Sequence, residues 1–212
     1  MSQIETMEQG GADWKAVRLG KVTASRVADV IAKTKSGPSA SRANYMAELI
    51  CERLTGVAVD GFTNAAMAWG TEKEPDARRL YEFLKDVDVA QVGFVHHPSI
   101  ADSGASPDGL VGDKGLIEIK CPNSATHIET LLSGVVPGKY VTQMQWQMAC
   151  TGRIYCDFVS FDPRLPAEMQ VFIATVERDA DFIAKAEGEV VAFLSEMDAK
   201  IAQLITRFAR AA

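Results

Sequence analysis

Between Leu116 and Lys120 the chain alternates strictly, placing Ile117 and Ile119 on one face of a strand and Glu118 and Lys120 on the other. A similar pattern over Asp88 to His97 predicts a second strand, closed by Pro98. Apolar runs at 154–161 and 168–176 predict two more, joined across an Asp162-Pro163-Arg164 turn. Helical spacing accounts for the rest. Asp13 can cap a helix from Trp14 to Leu19 that Gly20 ends, and Thr23 or Ser25 can cap another running to about Lys33, with Val27, Val30 and Ile31 on one face. Further helices are predicted from Ser41 to Leu54, over 64–84, after Asn123 or Ser124, and from Tyr140 to Cys150. The segment Thr34 to Ala40 reads as a mobile loop. Asp179 opens a long last helix in which Val190, Leu194, Met197, Ile201, Leu204 and Phe208 form a heptad-like seam, facing either its own domain or a neighbouring subunit. Together these elements predict a single α/β domain over 14–212, a central mixed β-sheet flanked by helices, behind a disordered segment 1–13.

Composition narrows the class. The 212 residues are 47% hydrophobic and 24% charged, as in a soluble globular domain. No apolar run reaches membrane-spanning length and no basic-then-apolar leader opens the chain, so a cytoplasmic protein without a membrane partner is expected. Cys51, Cys121, Cys150 and Cys156 form no C-x-x-C pair, which argues against a zinc knuckle or an iron–sulfur cluster and predicts reduced thiols in the core. A net charge of −6 argues against broad coating of nucleic acid. Yet Trp14 to Arg42 holds seven basic residues against the single acid Asp29, enough for a local grip on a phosphate backbone. No phosphate-binding G-x-x-x-x-G-K-[ST] loop occurs, so no nucleotide fuel is implied.

The candidate chemistry lies at Ser106-Pro107-Asp108-Gly109 and the strand that follows. If this turn folds back beside the strand, Asp108 and Glu118 can converge on one divalent cation, with Lys120 reaching the same spot to position or deprotonate a water. Hard Mg²⁺ prefers such oxygen ligands, and the combination suits hydrolysis of phosphodiesters. The same residues also describe an ordinary β-turn and a half-exposed strand. In Arg18-Leu19-Gly20-Lys21-Val22-Thr23-Ala24-Ser25 a guanidinium, hydroxyls and open helix amides could receive an anion, or the hydroxyls could merely cap. Thr71 and Glu74 fit a capping box with Pro75 in the first turn. Adjacent His96 and His97 point to opposite faces of a strand and read as structural. Gln143 and Gln147 share one helical face while Gln145 points elsewhere.

Pro107-Asp108 followed by Glu118-Ile119-Lys120 resembles the PD-(D/E)XK nuclease motif, and the SPDGL turn with a strand ending in Lys120-Cys121-Pro122 resembles the phage lambda exonuclease (YqaJ) family of alkaline exonucleases. The likeness extends to the RLGKVTAS and AWGTEKE stretches and covers about residues 14 to 177. It implies a restriction-endonuclease-like fold and a 5′-to-3′ exonuclease that degrades one strand of linear double-stranded DNA to mononucleotides, leaving a 3′ overhang for recombination. By that likeness Asp108, Glu118, the main-chain carbonyl of Ile119, and Glu74 hold two Mg²⁺ ions, with Mn²⁺ able to substitute. Lys120 orients the attacking water, Gln143 or less closely Gln145 supports the site, and Arg18 and Ser25 bind the 5′-phosphate. Lys35 is a candidate contact to the DNA backbone. Pro75 departs from the family pattern and bears on the reach of Glu74. A homotrimeric ring and a single-strand annealing partner are implied as well. The alternatives are a sequence-specific endonuclease of the same superfamily and an inactive module that binds DNA ends.

Overall fold

The computed structural model describes residues 3–35, 37–59 and 65–208. The first two residues of the predicted N-terminal segment, Ser36, the first residue of the predicted 64–84 helix and the last four residues of the chain lie outside them. In chain order the elements are β1 Ile4–Glu5, α1 Ala12–Arg18, β2 Val22–Thr23, α2 Val27–Ile31, β3 Lys33–Thr34, β4 Gly37–Pro38, α3 Ala40–Thr55, α4 Ala65–Lys85, β5 Val89–Ala90, β6 Phe94–His96 and β7 Ser103–Ala105. They continue with β8 Gly109–Val111, β9 Gly115–Lys120, α5 Ser124–Ser133, α6 Gly138–Thr151, β10 Tyr155–Phe161, β11 Val171–Glu177 and α7 Ala180–Phe208.

The central sheet is mixed and five-stranded, in the order β11-β10-β9-β8-β5. β9 runs parallel to β10 and antiparallel to β8. Both faces of β9 are covered. Ile117 and Ile119 pack with Ala77 and Tyr81 of α4, while Leu116 packs with Met144 and Met148 of α6. Removing each such aliphatic side chain from water contributes roughly 1.5–3 kcal/mol. This is why every residue of β9 before Lys120 is buried, and why Glu118 on its α6 face is 0% exposed. The half-exposed strand that alternation alone allows is therefore not what forms.

A second sheet, in the order β1-β6-β7-β2, supports the other half of the molecule. Over it α2, α3, α6 and α7 bury Val30, Tyr45, Leu49, Trp146, Val190 and Phe193 in one cluster. This sheet corrects two expectations and keeps a third. The N-terminal segment is not structureless, because β1 pairs with β6 and the carbonyl of Glu5 accepts from the Gly93 amide at 2.9 Å. The single strand predicted over 88–97 is two strands in different sheets, broken where Gly93 meets the Met7 backbone so closely that a Cβ would lie 2.4 Å from its carbonyl oxygen. Both histidines stay structural: His97 stacks on Trp146 and its Nδ1 accepts from the Ser99 and Ile100 amides, while His96 lies 3.5 Å from Glu5.

Other departures are local. The predicted loop at Thr34 to Ala40 contains the β3–β4 hairpin, and Ser39 rather than Ser41 caps α3 by accepting from the Arg42 amide at 3.2 Å. The helix expected from Thr23 or Ser25 to Lys33 is a 3₁₀ turn, Ala24–Arg26, followed by the short α2, with no side-chain cap on either. Gly56 (φ +69°) ends α3 in the left-handed conformation, as its position predicts, and the Asp179 carboxylate caps α7 by accepting from Phe182 at 2.9 Å. The α7 seam packs on its own domain through Val190, Leu194 and Met197, but Leu204 and Phe208 emerge exposed. Cys51 is exposed, whereas Cys121, Cys150 and Cys156 are buried, and all four are free thiols. Among the described residues no helix is long and apolar enough to cross a membrane.

Candidate active site

The SPDG turn leads into β8, whose register with β9 pairs Gly109 with Ile117. One step back along β8 sets Asp108 opposite Glu118. Gly109 permits this packing, since a Cβ there would lie 2.1 Å from Val89 Cγ1 of the neighbouring strand. Asp108 Oδ2 accepts from the Ile119 amide at 2.6 Å, and Lys120 Nζ is ion-paired with Glu118 Oε1. The structure thus brings Asp108, Glu118 and Lys120 together around the backbone of Ile119.

Helix α6 completes the surroundings of Glu118. Gln143 Nε2 donates to Oε1 and Gln147 Nε2 to Oε2, each at 2.6 Å. Gln145 serves elsewhere, donating to the Glu177 carbonyl at 2.7 Å and accepting from the Asp179 amide at 2.9 Å. Between the two candidates, Gln143 is the one at the site. Gln147 is the residue that sequence reasoning left unassigned, although its four-residue spacing from Gln143 was the available signal.

Two carboxylates side by side, Glu118 fully buried and Asp108 half-buried, repel one another. Burial first, and then the charge of Glu118, push the Asp108 carboxyl well above its usual range, against the opposing pull of Lys120 and the Ile119 amide. For Lys120 burial works to lower the pKa, as the sequence suggested, but Glu118 and Asp108 outweigh it and raise the value above an ordinary lysine. Lys120 is therefore held as an ammonium, a hydrogen-bond donor rather than a base. The neighbouring Cys121 thiol is pushed up to about 12 by burial and then by Glu74 and Asp108, so it is neutral and poorly suited to ligate.

The donor set has a chemical preference. No three His, Cys, Asp or Glu side chains converge as a metal cluster among the described residues, so Glu74 does not join Asp108 and Glu118 as a third ligand in this arrangement. Two carboxylates pressed together inside the protein fit a hard divalent ion such as Mg²⁺, which needs only one or two of them and relieves their repulsion.

Glu74 arrives from α4 at the edge of this pair, close enough for its charge to act on Asp108. Its carboxylate is ion-paired with buried Arg78, which also donates to the Asp108 main-chain carbonyl at 3.4 Å. The capping box is corrected: α4 is already helical from Ala65, Thr71 donates to the Met67 carbonyl at 3.2 Å, and Pro75 sits inside the helix. Pro75 offers no N–H to the Thr71 carbonyl, and the helix continues through it. Arg78, missed from sequence, links Glu74 to the Asp108 turn.

On the other side of the turn, Arg18 lies over the Trp14 ring at 4.0 Å and donates to Ser106 Oγ at 3.1 Å. Trp14 Nε1 donates to the same hydroxyl at 2.8 Å, and Gln9 Nε2 donates to the Pro107 carbonyl at 2.9 Å. Burial lowers the Arg18 guanidinium to about 10, only partly opposed by Tyr45 and Glu52, and among the described residues no carboxylate forms an ion pair with it. It stays charged at neutral pH with donors to spare. Ser25 is exposed in the 3₁₀ turn, and Lys35 is exposed at the tip of the β3–β4 hairpin without contact to these residues. The basic excess of this region is partly neutralised, because Arg26 pairs with Asp29 and Glu48, Lys33 with Glu189, and Arg42 with Glu196.

Comparison with known proteins identifies the family and the fold. The chain is similar to LHK-Exo, an alkaline exonuclease from Laribacter hongkongensis, with 57% identity over 95% of this chain and 100% of that chain and a TM-score of 0.89. A second crystal structure of LHK-Exo, equally similar, is a complex with dAMP. A phage-related exonuclease from Haemophilus somnus 129PT shares the fold at a TM-score of 0.69 and 18% identity, over 87% of this chain and 96% of that one. No curated protein matches the chain. Residues 13–154 match the YqaJ-like viral recombinase domain, and the chain, with its mixed sheet and PD-(D/E)XK nuclease fold, belongs to that family.

Proposed function

We propose that the protein is a Mg²⁺-dependent 5′-to-3′ exonuclease that degrades one strand of linear double-stranded DNA to mononucleotides and leaves a 3′ overhang for strand annealing. The observation that carries this is the Asp108–Glu118 pair beside the Lys120 ammonium, one turn from an arginine that has no carboxylate partner among the described residues. The resemblance to an alkaline exonuclease supports it. Asp108, Glu118 and the Ile119 carbonyl would hold the ions, with Glu74 supporting the second once it parts from Arg78. Such ions supply stabilisation of charge on the phosphate and the leaving oxygen. Lys120 donates to the attacking water and fixes its direction, while Gln143 and Gln147 keep Glu118 in place. Arg18 and Ser106, with Ser25 at the rim, would receive the terminal 5′-phosphate, and Lys35 would touch the backbone of the duplex.

Linear duplex labelled at either the 5′ or the 3′ ends, incubated with and without Mg²⁺, tests the proposal. Loss of 5′ label as mononucleotides, only with Mg²⁺ and with the 3′-labelled strand persisting, is the expected result. Cutting of closed circular DNA at a defined site would favour an endonuclease, and binding of ends without hydrolysis would favour an inactive module.

The same proposal includes a ring-shaped trimer that works with a single-strand annealing protein in the cytoplasm. Family likeness and the exposed apolar end of α7 at Leu204, Ile205 and Phe208 support the ring. A mass in solution three times that of the chain is expected, and a monomer at micromolar concentration would overturn it.

A further inference from the structure

Glu118 is unusually well supplied with donors. A carboxylate has two oxygens with about four lone-pair positions between them. Gln143 and Lys120 both donate to Oε1, and Gln147 donates to Oε2. One position remains, on Oε2. The Gln147 amide is itself fixed in orientation, because its oxygen faces the buried Cys156 thiol at 3.9 Å while the side chain is 0% exposed. Gln143 by contrast is only half buried.

We infer that Gln143 and Lys120 act together as positioning residues that fill Oε1 and restrict Glu118 to a single oxygen–cation contact through Oε2, which Gln147 only holds in place, and that the filled Oε1 makes the site select Mg²⁺ over Ca²⁺. The inference rests on the metal-dependent reading of the site. Ca²⁺ takes six to eight oxygens and commonly uses both oxygens of one carboxylate, whereas Mg²⁺ keeps several waters and is satisfied by single contacts. With Oε1 filled by an amide and an ammonium, the two-oxygen grip that Ca²⁺ favours is closed off. The two glutamines are not equivalent in this scheme. Losing Gln143 opens Oε1 and makes a two-oxygen grip possible, whereas losing Gln147 opens only a second position on an oxygen that was already available.

Calorimetric titration with Mg²⁺ or Ca²⁺ alone, without DNA, tests this on wild type, Gln143→Met and Gln147→Met. Methionine is similar in length and cannot donate. In Gln143→Met the affinity for Ca²⁺ relative to Mg²⁺ should rise about tenfold, the scale on which outer partners of a ligand act. In Gln147→Met both affinities should fall while their ratio stays at the wild-type value. A merely structural role would weaken both cations in proportion in either variant. An unchanged ratio in Gln143→Met, or an equal shift of the ratio in both variants, overturns the inference while leaving Mg²⁺ binding by wild type intact. Absence of Mg²⁺ binding by wild type would instead overturn the metal-dependent reading and the inference with it. Should Gln147→Met not fold, the Gln143→Met ratio decides alone, since that side chain is partly exposed.

Discussion

A Lys120→Ala protein should still bind Mg²⁺ and linear duplex DNA, yet digest the DNA about a hundredfold or more slowly than wild type, the loss typical of removing one preorganised hydrogen-bond donor. The geometry explains why binding and chemistry separate. Lys120 neutralises Glu118 but ligates nothing, and its raised pKa keeps it a donor. Its removal leaves two carboxylates less compensated, which increases rather than reduces their demand for a divalent ion. It also carries a stability cost, since breaking one partner out of a buried pair can destabilise by about 3–5 kcal/mol. Folding and turnover should therefore be compared at saturating Mg²⁺. Glu118→Gln should behave in the opposite way, losing cation binding first. Near wild-type turnover in Lys120→Ala would remove Lys120 from the chemistry.

The second large effect concerns which end of the DNA is chosen. A terminal phosphate carries more negative charge than an internal one, and Arg18 offers it a charged fork held in place by the Trp14 ring and Ser106. Charge-assisted contacts of this kind are worth roughly 1.5–3 kcal/mol, or about ten- to hundredfold in rate. DNA with a 5′-phosphate should be digested faster than the same DNA with a 5′-hydroxyl by that factor. Arg18→Ala should erase most of the difference and leave cation binding unchanged. Equal rates on both ends with wild type, or a preference that survives Arg18→Ala, would mean that the phosphate is held elsewhere.

Much of this site was legible because its parts are local. Asp108, Glu118 and Lys120 lie within one turn and one strand, where two-residue alternation and a short return fix their relation. Gln143 and Gln147 were legible as one helical face, but only packing reveals that both reach Glu118 and that Gln145 faces the opposite way. The capping box at Thr71 and Glu74 conflicts with the helix predicted over 64–84, and the structure resolves the conflict for the helix, which runs through Thr71 and Pro75 and frees Glu74 to pair with Arg78. Gln9, Trp14 and Ser106 could not be found at all. Their contacts join segments about ninety residues apart, and a short-range pattern carries no information about such pairs. The same holds for the break at Gly93, whose cause is the approach of Met7 rather than anything in the strand itself.

Ser106, which touches Arg18, and Asp108 are separated by a single residue, and that residue is Pro107, whose ring locks φ and whose carbonyl is gripped by Gln9. Two residues of backbone span about 7 Å at most. On the proposed function, the terminal phosphate and the bond to be cut are held at the two ends of this stiff spacer. The protein then carries its own ruler. On that proposal the distance from the held phosphate to the cleaved bond would follow from the length of Ser106-Pro107-Asp108, and the product length in the end-labelled digestion would report on three residues of polypeptide.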